Sequence, residues 1–494
     1  MPRHQRRAIP ILSFRCACVL ALLLPACALA ASPRYFEGSV LIEKTAGHEG
    51  CQRLAGKTMS VQISWQEAPG HDNHIFGWIV FSNGAPAKIE GPTPGQLTVT
   101  NNYYDAHLNT PTTLTLDIAD GKTTGTLRET PTQLGFGETL CYWQQATLTL
   151  AEKTADTDVD MKLRQHGAMY KAHGQESRGD YFARYHQYAQ AAAAHDQAIA
   201  EVDGVLPETY AYFKGLLRYT AILYSNAEDY ERAVQRYQRY LDINVRQSDV
   251  GPDDPAFYSG WVRLATYLYL ARRTDDAISA IERAASMEDK AEDVSLDEYL
   301  LRRRLQGNIY VAANMFDKAQ ASLQDEVNLA TSKSGPDDLR TFEARARSAS
   351  LFRIMKDNAR FEAAFEPLAR EITARFGEAH ELARKSNAQL GTHYFGTDAI
   401  DKARPWLESA FRGYRAHADS AAQAVREDMD AAGVMASLLA IYIQQGIVPS
   451  NFLDRVRAGQ TSLDALPYQS PQVDNPILPT LQIDPREFDK LLKR

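Results

Sequence analysis

Two short stretches carry residue types that could do chemistry. "GHDNH" at 70–74 sets His71 and His74 on either side of Asp72, and "GKT" follows a loop at 56–58 and again at 121–123. A metal held by the first would need at least a third protein ligand. None stands within evident reach, and the stretch follows Pro69 in a polar segment suited to a turn between strands. A phosphate loop would need a glycine five residues upstream of its Gly-Lys pair and a helix after it. Neither "GKT" has that glycine, and both lead into strand-like patterns, so both read as turns. After residue 31 there is no "GxSxG", "HExxH" or "CxxC". The expectation is a protein without catalytic residues, metal or cofactor. An enzyme whose unfamiliar site leaves no motif is a third reading behind the two given below.

The cysteines are the remaining reactive groups, and their positions bear on compartment. Cys16, Cys18 and Cys27 lie in the first thirty residues, where a basic start, the eleven-residue apolar run "CACVLALLLPA" and small residues before Ala31 form the pattern of a secretory signal peptide. Cleavage after Ala30 is expected. "LPAC" at 24–27 offers the alternative of lipidation at Cys27, leaving a tethered chain. Either way export is expected, most simply to a bacterial periplasm. Cys51 and Cys141 are then the two cysteines of the mature chain, and an oxidising compartment favours their pairing. Such a bridge closes a loop of roughly 90 residues, which chain entropy values at about 4 to 5 kcal/mol.

Charge narrows the partners. The formal net charge of the 494 residues is −8, and loss of the leader, with four arginines and no acids, takes it to −12. Nucleic acid, which is bound through basic patches, is not an expected partner. No later stretch is long and apolar enough for a membrane helix, so no transmembrane span is expected.

The elements that would position these groups fall into two regions. From 34 to 150 the period is two. "KTMSVQISWQ" places Met59, Val61, Ile63 and Trp65 on one face, "TTLTLDIA" does the same with Leu114, Leu116 and Ile118, and "CYWQQATLTL" ends the region. Seven or eight such strands between Gly, Pro and Asn clusters predict an antiparallel β-barrel or sandwich, with Cys51 after the first strand and Cys141 opening the last. Around "AEKTADTDVD" the composition turns to Ala, Arg, Glu, Leu and Tyr and the period becomes helical. That is the expected domain boundary, with helices over 158–458.

The helical region punctuates itself. "GPDD" stands at 251–254 and again at 335–338, and "GEAHELA" begins at 377, separations of 84 and 42. Glycine can stop a helix in a left-handed conformation, Asp254 can cap the next, and Pro255 suits its first turn. Between these marks the chain holds two helices with small residues twelve apart: Ala221 and Ala233, Ala265 and Ala277, Gly307 and Ala319, Gly391 and Ala403, with a less regular copy at Phe352 and Ala364. These segments resemble tetratricopeptide repeats of the 42-residue kind found in kinesin light chains. Five copies fall at about 206–250, 251–293, 294–334, 335–376 and 377–418, with atypical capping pairs at 158–204 and 419–458. The expected fold class is therefore multidomain α+β: a β-barrel or sandwich, then an all-α helical solenoid.

The resemblance implies a groove that binds a protein or peptide, lined by residues flanking the small position of each first helix. Copy by copy it nominates Arg218 with Ile222, Thr266 with Tyr269, Arg304 with Asn308, Arg353 with Lys356, and Thr392 with Phe395. Arg304 and Asn308 stand one turn apart and could hold a carboxylate. The reading from sequence is an exported, non-catalytic interaction scaffold. The competing reading is a small apolar ligand inside the β-domain, among Met59, Ile63, Trp65 and Trp78, with the solenoid relaying the bound state. The aromatic run "YFARYHQYAQ" is expected to pack between helices. Residues 462–494 form a Pro-rich tail whose apolar Ile477, Leu478, Leu481 and Ile483 should dock, ending in a short helix after Pro485.

Overall fold

The computed structural model describes residues 33–46, 52, 55–67, 74–81, 86–92, 95–101, 112–119, 122–129, 142–153, 158–248, 250–292 and 294–469. The leader with Ala30 and Cys27, both mature cysteines Cys51 and Cys141, His71 with Asp72, and the tail from 470 lie outside the described residues. The chain divides into two compact units, Met1–Leu216 and Leu217–Arg494.

The first unit opens with eight strands: β1 Arg34–Ala46, β2 Thr58–Glu67, β3 His74–Phe81, β4 Pro86–Pro92, β5 Gly95–Asn101, β6 Thr112–Ala119, β7 Lys122–Glu129 and β8 Tyr142–Glu152. Each pairs antiparallel with the next, and β8 returns to β1 with Val40 opposite Leu148, so the sheet closes into a barrel. Eight strands leave an interior just wide enough for side chains. Phe36, Val61, Ile63, Ile79, Ile89 and Leu148 fill it, and Phe36 stacks on Trp65 at 4.3 Å. Gly77 shows how tight the wall is: a Cβ there would stand 2.1 Å from the Ser64 carbonyl oxygen. The outward positions of the later strands are polar, with Thr98, Thr100, Thr115, Thr124 and Thr126 exposed.

The expectation that Trp78 lines the interior is corrected by the alternation of β3. Ile75, Gly77 and Ile79 are the buried inward residues, so Phe76 and Trp78 face out. They meet helix α1, Val159–Arg184, where the Trp78 ring lies 4.7 Å from that of Tyr170 and against Gly167. His166 of the same helix is fully buried, with Nδ1 2.8 Å from Ser64 Oγ and Nε2 3.2 Å from Gln62 Oε1. An amide oxygen only accepts, so Nε2 carries the proton and the Ser64 hydroxyl donates to Nδ1. Burial, helped by nearby Lys162, lowers the His166 pKa to about 3.

The other helices are α2 Tyr188–Val202, α3 Ala211–Asn226, α4 Tyr230–Gln247, α5 Tyr258–Leu270, α6 Thr274–Met287, α7 Leu296–Ala312, α8 Phe316–Ser334, α9 Leu339–Ile354, α10 Asn358–Phe376, α11 Glu381–Gly396, α12 Ile400–Arg415, α13 Ala421–Glu427, α14 Met429–Gln444 and α15 Phe452–Arg457. Their pairing is dictated by one kind of turn. His186, Glu228, Arg272, Asn314, Lys356 and Asp398 each have φ near +60°. At each, the amide of the next residue donates back to the first helix, as in Asp229 N to Tyr224 O at 2.9 Å and Asp357 N to Phe352 O at 2.9 Å. This is the Schellman ending, and it orients the second helix back along the first. Asp229 and Asp357 then cap that second helix through the amides of Arg232 and Arg360.

Seven residues before each left-handed turn stands a small residue: Gly179, Ala221, Ala265, Gly307, Ala349 and Gly391. A Cβ on Gly307 would meet the Leu323 side chain at 2.8 Å, and one on Gly391 the Leu407 side chain at 2.5 Å, so the small residue is where paired helices touch. Two expectations change with this frame. The pair α1 and α2 follows it through Gly179, Ala191 and His195, and is a regular copy rather than an atypical one. In the fourth copy the frame runs through Ala349, Phe361 and Phe365, three residues before the expected Phe352 and Ala364. An aromatic pair there had hidden the small residue.

The punctuation marks behave unequally. Gly335 ends α8 at φ 94° and Gly377 ends α10 at φ 80°, a region open chiefly to glycine. Gly251 does not adopt a positive φ. There the start is as expected, with the Asp254 carboxylate accepting from the Ala256 amide and Pro255 opening a short 3-10 turn before α5. The aromatic run "YFARYHQYAQ" packs only in part: Tyr181 and Phe182 are half-buried with their rings in contact, but Tyr185 is 62% exposed at the end of α1. The first residues of the tail do dock: Tyr468 is buried, with its ring 4.8 Å from Phe411 and its carbonyl accepting from Arg412 Nη1 at 3.2 Å.

Candidate functional site

The helix frame decides where each nominated residue lies. The position just after the small residue forms a row, Thr266, Asn308, Ser350 and Thr392, spaced by 42 residues on α5, α7, α9 and α11. Thr266 is buried and its hydroxyl donates to the Val262 carbonyl at 3.0 Å. Thr392 is exposed, and its hydroxyl donates to the Ala388 carbonyl at 2.6 Å. Ser350, which the shifted register missed, is buried and shares hydrogen bonds with Gln389, whose amide donates to Ser350 Oγ at 3.0 Å.

Asn308 differs from its neighbours in the row. It is 3% exposed, and neither its amide oxygen nor its amide nitrogen has a hydrogen-bond partner. A buried polar group left in that state costs about 1 to 3 kcal/mol. Arg304, one turn earlier on α7, is half-buried. Nearby, Arg303 pairs with Glu288 at 2.5 Å, and Arg302 pairs with the same carboxylate.

Arg218 is exposed on α3 and Ile222 half-buried. Tyr269 is half-buried near the end of α5, where burial raises its phenol pKa. Lys356 lies beyond the end of α9, in the left-handed turn at φ 60°, and is therefore not on the helix stripe with Arg353. The register corrected at Ala349 moves Arg353 to the position of Tyr269 and Phe395, one turn beyond the row.

Arg353 and Thr392 come together at a concavity of about 260 Å³ in the second unit. Lys385, Gln389 and Thr392 of α11 form one wall with Arg353 of α9, Tyr414 comes from α12, and Met429, Asp430, Gly433 and Val434 of α14 form the facing side. Lys385 is paired with Glu381 at 2.6 Å. Tyr414 is 3% exposed, and its hydroxyl has no hydrogen-bond partner. Burial raises its pKa above the usual phenol value, and the Asp430 and Asp428 carboxylates add to the shift, so it is a neutral hydroxyl. Met429 at the rim is 92% exposed. Thr392 and Arg353 were legible as first-helix positions, but Tyr414 and Asp430 carry no signal of period or motif.

A 42-residue recurrence of the same left-handed turn, with a small contact residue seven positions before it, settles the architecture. The helices form a tetratricopeptide-like array. Solved structures with similar folds include a Podosopora anserina array of nearly identical kinesin light chain TPR-like repeats, 13% identical over 41% of this chain and 94% of that one, TM-score 0.35. BtubC (BKLC) from P. vanneervenii is 16% identical over 52% of this chain and 96% of its own, TM-score 0.33. Aspartyl phosphate phosphatase F from Bacillus subtilis is 11% identical over 64% and 76%, TM-score 0.35. No protein-family model and no curated protein sequence matches the chain. Among the described residues, no helix is long and apolar enough to cross a membrane, and no group of three His, Cys, Asp or Glu side chains could hold a metal ion.

Proposed function

We propose that the chain is an exported, non-catalytic scaffold that binds a polypeptide partner along the first-helix row of its array. The observation that carries this reading is Asn308, an amide buried at the centre of the row with both of its polar atoms unmet. An amide is matched to a peptide backbone, since it can donate to a carbonyl and accept from an N–H at once. Arg304 beside it adds a charge that favours a partner carboxylate. The barrel offers less. Its interior is filled by its own side chains, which leaves the alternative of an apolar ligand held there without support.

Export is part of the proposal and rests on the leader sequence and the two mature cysteines. The test places a photoreactive side chain at Arg304, or at exposed Gln320 on the second helix of the same copy, in intact cells. A partner joined from 304 and not from 320 supports the row as the binding face. Joining from both sites alike, or from 320 alone, removes it. N-terminal sequencing of the mature protein decides between cleavage after Ala30 and retention of Cys27. Peptide mapping without reductant should recover Cys51 linked to Cys141.

A further inference from the structure

We propose that the concavity between α9, α11, α12 and α14 is a binding site for a free α-amino acid, with the ligand ammonium on Asp430 and its carboxylate between Tyr414 and Arg353. One unmet hydroxyl and one exposed carboxylate point to it. The Asp430 carboxylate makes no ion pair among the described residues, and the Tyr414 hydroxyl, almost wholly buried, donates to nothing. Both residues line the same concavity. The buried hydroxyl needs an acceptor, and the exposed Asp430 carboxylate is open to a cationic donor in place of water.

The charges are divided between the walls. Arg353 and Lys385 stand on α9 and α11, and Asp430 stands on α14 across the opening. A purely anionic ligand would meet Asp430, and a purely cationic one would meet Arg353. A molecule with both charges on neighbouring atoms satisfies each wall. The Arg353 fork suits a carboxylate. About 260 Å³ is below the range of drug-sized pockets, which start near 300 Å³, and matches a molecule of amino-acid size. Ala388, Gly433 and Val434 supply an apolar surface for a short side chain, with exposed Met429 at the rim.

This proposal goes beyond the scaffold reading. The two share Arg353 and Thr392, but the scaffold reading is carried by Asn308 on α7, so either can fail alone. The experiment is calorimetric titration of the full chain with each of the twenty L-amino acids, followed by the N-acetyl and the amide derivatives of any that binds. At least one free amino acid should bind, and both derivatives should fall below detection, because each removes one of the paired charges. Tyr414→Phe should weaken binding about tenfold with the melting temperature kept, since the lost hydroxyl had no partner. Asp430→Asn should weaken it at least tenfold. No heat with any amino acid at 10 mM, on the order of the weakest binding such a site would show, overturns the proposal. So does an N-acetyl derivative that binds as tightly as its parent, or affinity unchanged in both variants.

Discussion

The barrel and the helical array solve the same problem in opposite ways. In the barrel the sheet closes on itself, inward positions are apolar, and each strand has a neighbour on both sides. In the array each helix pair meets the next through one face only, and polar groups are buried along the way. Some are satisfied, such as Glu326, whose carboxylate accepts from Arg347 Nη2 at 2.6 Å and from Nε at 3.1 Å. Others, Asn308 and the hydroxyl of Tyr414, have no hydrogen-bond partner. Closure hides an apolar core, whereas stacking leaves some buried polar groups without a partner among the described residues. That difference is what the proposed binding row rests on.

The contrast is most exposed to test at the barrel core. Trp65→Ala removes a buried ring stacked on Phe36 and should cost about 3 to 5 kcal/mol, read as a lower denaturation midpoint of the first unit. A loss below about 1 kcal/mol would mean that the interior is not tightly packed.

Acid should strike the same unit next. The His166 pKa is lowered to about 3 in the fold against 6.5 in the unfolded chain. Above 6.5 both states leave the ring neutral and the contribution is full. Below 6.5 the unfolded chain takes up a proton that the folded one refuses, so stability falls by about 1.4 kcal/mol per pH unit towards pH 3. At pH 5 the loss is about 2 kcal/mol, and His166→Gln should remove that part of the pH dependence. Equal slopes in the two proteins would mean that His166 is not held neutral.

In the array the expected signs reverse. Asn308→Leu replaces an unmet amide with an apolar side chain and should raise stability by about 1 kcal/mol while weakening partner binding. A loss of stability would show that the amide is satisfied in solution. The smallest effect belongs to the turns: Lys356→Gly relieves a left-handed residue at φ 60° and should add about 1 kcal/mol or less. Any destabilisation would show that the Lys356 side chain makes a contact worth more than the backbone strain.

The sequence disclosed most of the fold because its period is written in residue types. Alternation gave the strands, and the spacing of small residues gave the helix pairs at Ala221, Ala265, Gly307 and Gly391. It failed where a contact residue changed type. Phe361 and Phe365 in the fourth copy disguised Ala349, and this moved the expected stripe onto Lys356. Trp78 was misplaced because hydrophobicity alone does not distinguish a barrel interior from an outer face covered by a helix. Of the candidate site, Arg304, Asn308, Arg353 and Thr392 were legible as positions in a repeat. Tyr414 and Asp430 were not, since Tyr414 stands on the second helix of the fifth copy, away from the row, and Asp430 on α14 beyond the five copies.

The left-handed turn has a consequence for where the chain can change length. The backbone carbonyls of Tyr224 and Phe352 are tied to the amides of Asp229 and Asp357, and those same aspartates start the following helices. An added residue there would have to break an ending and a beginning together. The connections between pairs carry no such double duty, and the chain already shows the difference: Glu228 to Arg272 spans 44 residues, while the later intervals to Asn314, Lys356 and Asp398 are 42. The surplus falls in the stretch after α4, before α5. An epitope or a reporter inserted at 250–253 should therefore be tolerated where the same insertion at 355–357 is not, which makes one class of joint the natural place to open the chain and the other a fixed gauge of its pitch.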